Sequence, residues 1–315
     1  MYKALFDMKT TFIGLVLLAL LLMLPQFLPR FYVYLFALMF AIALLATSLN
    51  LVLGFGGMYQ FHHAVFYGFG AYAFALFATK SGLPLWLGYA IAPCCSAALG
   101  LVLGLITVRL NKLYFGMLQI SLGSLVWAIT YRWYSFTGGD DGIHGIPLPD
   151  LVGSSVGAYY FNLTVAAVCL LLMYAIVSSP FGRVFQGIRD NPERCRAIGI
   201  NVQRQQLVGQ TIAAFFAGVA GTLFVTVEGS VFPDLMFWTL SLEILIMCLL
   251  GGWFIFLGPA LGAAMIICLR TFAGIYTEYW TLILGLVLML LIFFLPEGVL
   301  GLFLHKAGPA VRRER

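Results

Sequence analysis

The chain has 315 residues, 62% of them hydrophobic and 9% charged, with a mean hydropathy of +1.01. An ordinary soluble domain carries about 25% charged residues, so this composition excludes a soluble fold and leaves a polytopic membrane protein. The net charge of +5 bears on topology rather than on nucleic acid, because Lys and Arg collect on the cytoplasmic side of a membrane.

Apolar runs of about 17–25 residues suit α-helices crossing a bilayer, not the shorter strands of a barrel. Ten spans are predicted, at 11–28, 31–53, 58–79, 83–107, 113–135, 158–179, 207–227, 238–257, 258–275 and 279–295. The fold class is therefore an all-α polytopic membrane protein of about ten transmembrane helices. The first run follows Lys3 and Lys9, and no small-residue cleavage site comes after it, so it reads as a retained span. With both termini cytoplasmic, thirteen of the seventeen basic residues fall inside. Arg30, Lys80, Arg132 and Arg270 fall at the outer edge. The opposite orientation violates the positive-inside rule.

The third span is unusual. It carries Gln60, His62, His63, Gly68 and Gly70, and three glycines precede it. Polar side chains and glycines in a span point to close packing, a broken helix or a wet cavity. Adjacent histidines face different sides of a helix, so His62 and His63 are not a metal pair. Two readings stand: lining a substrate path with Gln60 and Asn50, or bonding between helices. The fourth span has Gly100 and Gly104 at GxxxG spacing, a packing mark. The outer loop 136–157 holds Asp140, Asp141 and His144 among glycines and prolines. The six cysteines form no CxxC pair and read as packing residues.

The polar stretch 180–206 carries five arginines between two apolar runs. Asn191 followed by Pro192 and Glu193 reads as a helix start, with Asn at the cap and Pro in the first turn. A short helix over 192–198 follows, closed by Gly199. Such a helix on a membrane surface is a mechanical handle for a soluble partner; the alternative is an inert basic loop that only sets topology. Glu243, Arg270 and Arg132 lie near the outer ends of spans and can snorkel. A Glu243–Arg270 pair is open. The middle thirds of the spans hold no carboxylate, which counts against ion-coupled transport. No P-loop of the form GxxxxGK[ST] occurs, so any ATP is hydrolysed by another chain. No catalytic constellation supports a membrane enzyme.

These residues together resemble the permease subunits of bacterial ABC importers for branched-chain amino acids. The likeness runs through SLNLVLGFGGMYQFHHAVFYGFGAYAFAL (48–76), LYFGMLQISLGSLVWAI (113–129), TGGDDGIHGIP (137–147), the polar loop 182–224, EILIMCLLGGWFIFLGPALGAA (243–264) and LPEGVLGLF (295–303). The outer loop and the terminal PEGVLG suggest the methionine-type member of the permease pair. The resemblance implies a single permease domain over 1–315 with a type II-like importer fold. It implies a coupling loop 180–206 that meets the ATPase through Arg189, Asn191, Pro192, Glu193, Arg194, Ala197 and Gly199. The outer loop, through Asp140, Asp141 and His144, would meet a periplasmic binding protein. Implied partners are a second related permease, two ABC ATPases that hold ATP and Mg, that binding protein and the bilayer of the inner membrane, but no nucleic acid. The chain itself would carry no cofactor and no catalysis. Where relatives place small residues before one histidine, this chain has Met58-Tyr59-Gln60-Phe61-His62-His63. That departure leaves the cargo open among amino acids, urea, short amides and aromatic carboxylates. A stand-alone ion-coupled carrier is the reading from a different class.

Overall fold

The computed structural model describes residues 19–110 and 112–276, and isolated positions between 279 and 299. The start of the first predicted span, most of the tenth and most of the LPEGVLGLF segment lie outside the described residues. The described chain is a helical bundle. After a helical stretch at 19–27 (α1) come α2 (Arg30–Leu53), α3 (His63–Lys80), α4 (Leu85–Thr107), α5 (Lys112–Arg132) and α6 (Tyr134–Thr137). Then follow α7 (Ser155–Ser178), α8 (Pro180–Asp190), α9 (Pro192–Ala197), α10 (Val202–Glu228), α11 (Trp238–Gly251) and α12 (Gly258–Tyr276). Among the described residues, α2, α4, α7 and α10 are long and apolar enough to cross a membrane, and α11 and α12 add shorter apolar helices.

Helix starts follow local chemistry. Ser154, Ser179, Asn191 and Asn201 each accept a backbone N–H three residues on, at Gly157, Gly182, Arg194 and Arg204. These caps explain two departures from the predicted boundaries. The stretch 180–206 is largely helix rather than loop, because Ser179 and Pro180 start α8 directly after α7. Asn201 then starts α10 at Val202, five residues before the predicted span. Two further spans are shorter than predicted. The chain is non-helical over 54–62, so α3 begins at His63. Helix α11 stops at Gly251, where Gly252 takes φ +105°. The loop before α7 holds a strand, β1 (Ile143–His144), that pairs antiparallel with β2 (Ser230–Val231) after α10. Two residues per strand leave no alternation to read in the sequence.

Helix α10 is the hub, packed on α2, α3 and α4. Small residues permit these approaches, because lipid offers no hydrophobic drive for helices to associate. A Cβ at Gly221 would strike the backbone carbonyl of Tyr67 in α3. The predicted GxxxG glycines have the same use: Gly100 faces Ala214 and Gly104 faces Leu207, both in α10. Polar side chains tie the same helices. Ser96 Oγ lies 2.8 Å from the carbonyls of Phe66 and Ala214. Asn162 of α7 donates from Nδ2 to the carbonyls of Ala37 and Leu223, both at 3.1 Å. Asn162→Leu is expected to lower stability by about 1 kcal/mol, read as an earlier thermal unfolding midpoint in detergent. An unchanged midpoint would mean that Asn162 does not staple α7 to the hub.

The two ends of the bundle are distinct. At one end α8 meets the stretch after α2, which itself meets the turn after α11, through Arg189, Gly54 and Trp253. At the other lie the β1–β2 pair, the Lys80 ammonium on the Phe136 carbonyl, and the Tyr34 hydroxyl on Glu228.

Candidate functional site

The handle is built from α8, α9 and the start of α10. Helix α8 is amphipathic and buries Gly182, Phe185 and Ile188. Phe185 is wedged between two backbones: a Cβ at either Gly56 or Gly209 would collide with its ring. Ile188, Cys195 and Val202 form a small core that holds α8, α9 and α10 together. Helix α9 starts at Asn191, whose Oδ1 accepts the Arg194 N–H at 3.0 Å. It ends on Gly199 at φ +87°. There the Gly199 N–H meets the Arg196 carbonyl and the Ile200 N–H meets the Cys195 carbonyl, each at 3.0 Å. These two bonds are a Schellman closure, and the left-handed residue it needs is a glycine. The cap and stop read from the sequence are thus present, with the helix ending one residue earlier than predicted.

The surface of α9 divides the predicted contact residues. Glu193, Arg194, Ala197 and Gly199 are exposed at the tip, and Glu193 pairs with Arg196 along the helix. Pro192 and Asn191 are half-buried. Ile198 stands at the tip with 76% of its surface exposed. Its signal in the sequence was an apolar residue directly before the helix-closing glycine. Arg189 points the other way. It donates from Nη1 to the Gly54 carbonyl at 2.7 Å, and pairs with Asp190 at 2.9 Å. Its guanidinium also lies 5.5 Å from the centre of the Phe254 ring. Gly57, at φ +67°, packs directly on the Arg189 stem. Arg189 therefore anchors the handle to the stretch between α2 and α3.

That stretch leads into a buried polar patch. Asn50, Gln60, His62 and His63 are all buried. His63 Nε2 lies 2.8 Å from Ser48 Oγ, and His63 Nδ1 lies 2.9 Å from the Gln60 carboxamide. Ser48 donates its own proton to the Leu45 carbonyl at 2.7 Å. The His63 ring is thus bracketed by the Ser48 hydroxyl at Nε2 and by Gln60 Oε1 at Nδ1. His62 turns away, edge-on to Phe66 and beside Gln119. His62 precedes the helix and His63 begins it; both rings meet Phe66 edge-on, while their polar neighbours differ. Gln119 Oε1 accepts the Phe61 N–H and Ser241 Oγ accepts the Ala64 N–H, each at 3.0 Å. These bonds satisfy donors at the start of α3 that have no helical partner, and they tie α3 to α5 and α11. The Asn50 carboxamide sits against Gly54 with no hydrogen-bond partner among the described residues.

The predicted outer-loop residues are not part of this cluster. Asp140, Asp141 and His144 are exposed at the opposite end. His144 Nε2 donates to the Asp141 carbonyl at 2.8 Å, and its ring meets Phe232 edge-on. Asp140 accepts a hydrogen bond from Tyr134, which pushes that phenol above its ordinary range.

The handle, the broken stretch and the buried patch form one connected unit at the end of a membrane bundle. The family described as the permease component of branched-chain amino acid transport systems matches residues 31–293. The chain belongs to this family. As a member of it, the chain is a multi-pass transport subunit rather than an enzyme. This permease is 29% identical to the high-affinity branched-chain amino acid transport system permease protein LivM of Escherichia coli K12, over 82% of its own length and 67% of the relative's. It is 24% identical to the probable branched-chain amino acid transport permease protein LivM of Methanocaldococcus jannaschii, over 67% of each chain. It is 27% identical to the autoinducer 2 import system permease protein LsrC of Salmonella paratyphi B, over 56% of this chain and 51% of that one. No solved structure matches the permease.

Proposed function

We propose that the chain is one pore subunit of an ATP-driven importer for branched-chain amino acids in the bacterial inner membrane. The observation that carries this reading is the Arg189–Gly54 bond. It joins an externally presented helix to the stretch that positions Gln60 and His63, so a push on α9 reaches the bundle interior. Thirteen of the seventeen basic residues fall on the handle side of the predicted spans, which supports placing that side and both termini in the cytoplasm. The whole chain then acts as one transmembrane unit. A second permease completes the pore, two ATPases hold ATP and Mg, and a binding protein meets Asp140, Asp141 and His144. The tip residues Glu193, Arg194, Ala197 and Gly199, with Ile198, seat in the ATPase. Asn50, Gln60, His62 and His63 border the path or the joint that moves it.

The test is uptake of labelled leucine into vesicles holding the permease with its partner permease, ATPases and binding protein. Hydrolysis-dead ATPases should abolish uptake. Uptake that persists there and follows a proton or sodium gradient would make the chain an ion-coupled carrier instead. Ile198→Asp should cut uptake by about tenfold or more, because a charge buried at an interface without a partner costs several kcal/mol. The ATPases should also copurify poorly with it. Normal copurification and uptake would remove Ile198 from the docking surface.

A further inference from the structure

At the end of the bundle opposite the handle, a cavity of about 520 Å³ opens between α2, α3, α10, α11 and α12. This volume lies within the roughly 300–1,000 Å³ of small-molecule sites. Its lining has two chemistries. Glu228, Glu243 and Arg270 supply its charged groups, and Leu35, Leu38, Ile42, Met247 and Ile267 supply apolar surface beside them, Met247 one turn from Glu243 and Ile267 one turn from Arg270. The Tyr34 hydroxyl donates to Glu228. The Arg270 charge is close enough to act on both Tyr34 and Glu243. Tyr67 also lines the cavity; it is fully buried, and its hydroxyl has no hydrogen-bond partner among the described residues. A buried donor left in that condition is costly and calls for an explanation.

We infer that this cavity is a transient binding site for a zwitterionic α-amino acid with an aliphatic side chain. The inference rests on the importer reading for its choice among small solutes. The planar guanidinium of Arg270 suits a carboxylate, and the Tyr67 hydroxyl supplies a further donor to it. The carboxylates of Glu228 and Glu243 suit the ammonium group. A simple cation would gain the acids but meet Arg270, and a simple anion the reverse. Only a ligand with both charges uses all the charged groups, and the apolar surface beside them then takes a branched side chain. None of these residues belongs to the handle, the buried patch or the outer loop. A site that passes solute onward binds weakly enough to release it, so its occupant is best caught covalently.

The test uses a leucine analogue with a diazirine in its side chain, irradiated with the complete importer in lipid nanodiscs and mapped by mass spectrometry. Adducts are expected on Leu38, Ile42, Met247 or Ile267. Excess leucine should remove them, and isopentylamine or isovalerate, each with one of the two charges, should compete about tenfold more weakly. Arg270→Gln should lose about tenfold of the labelling, and Leu38→Trp should lose it by covering the apolar surface with the charges intact. The second variant decides the matter if the first does not assemble. Adducts only outside the cavity, equal competition by isopentylamine, or full labelling in an assembled variant would overturn the inference. Labelling and transport report separately. Cavity adducts in a complex that does not need ATP for leucine uptake would keep the site and sink the importer reading. ATP-driven uptake without cavity adducts would sink the site alone.

Discussion

Arg189→Met is expected to cut leucine uptake by roughly ten- to hundredfold while the assembled complex continues to hydrolyse ATP. The size follows from the bond removed. A hydrogen bond to a charged group is worth about 1.5–3 kcal/mol, and each 1.4 kcal/mol is about a factor of ten. Methionine keeps the stem on which Gly57 packs but loses the donor to the Gly54 carbonyl, the pair with Asp190 and the charge over Phe254. The tip of α9 is untouched, so the ATPases should still dock. Arg189→Lys should recover part of the uptake, because an ammonium can reach one acceptor but not also lie flat on a ring. The measurement is uptake and ATP turnover on the same preparation. If both stay at the wild-type level, Gly54 is not where force enters the bundle.

Gly221→Leu is expected to prevent a stable permease from accumulating. A Cβ there would collide with the Tyr67 carbonyl and crowd the Ala71 nitrogen, which belong to the backbone of α3 rather than to a side chain that can rotate away. Overpacking a tight core costs about 1–3 kcal/mol, occasionally more, and two backbones in contact place this site at the upper end. Thermal unfolding in detergent and the yield of assembled complex give the readout. Gly274→Leu is the control, since a Cβ there meets nothing within 4 Å among the described residues. Equal midpoints for the two variants would show that α10 and α3 do not touch at Gly221.

What the sequence made legible was local. Asn191, Pro192 and Gly199 act within one short helix, and their meaning survives without knowledge of the fold. Gly100 and Gly104 announced a packing face, though not that α10 would fill it. The unread features join distant positions. Phe185 needs Gly56 and Gly209 on either side of its ring. The β1–β2 pair joins residues 143–144 to 230–231. Glu228, Glu243 and Arg270 come from three helices, and Glu243 and Arg270 each alone read as an end-of-span charge able to reach the interface. The predicted starts at 58 and 207 failed for a different reason. Hydropathy does not stop where hydrogen bonding does, so the stretch 58–62 stayed out of α3, while the polar stretch before 207 was already helical from Val202.

The closure of α9 has one more consequence, for the speed and strength of docking. Every bond that shapes the tip spans five residues or fewer, from the Asn191 cap to the Ile200 N–H. Contacts so near in sequence form early and need no partner. At the proposed ATPase contact the backbone of the tip would then have little conformational entropy left to surrender. Association would then cost rigid-body freedom and the ordering of the exposed Glu193, Arg194 and Ile198 side chains, and encounter need not wait for the backbone of the tip to take shape.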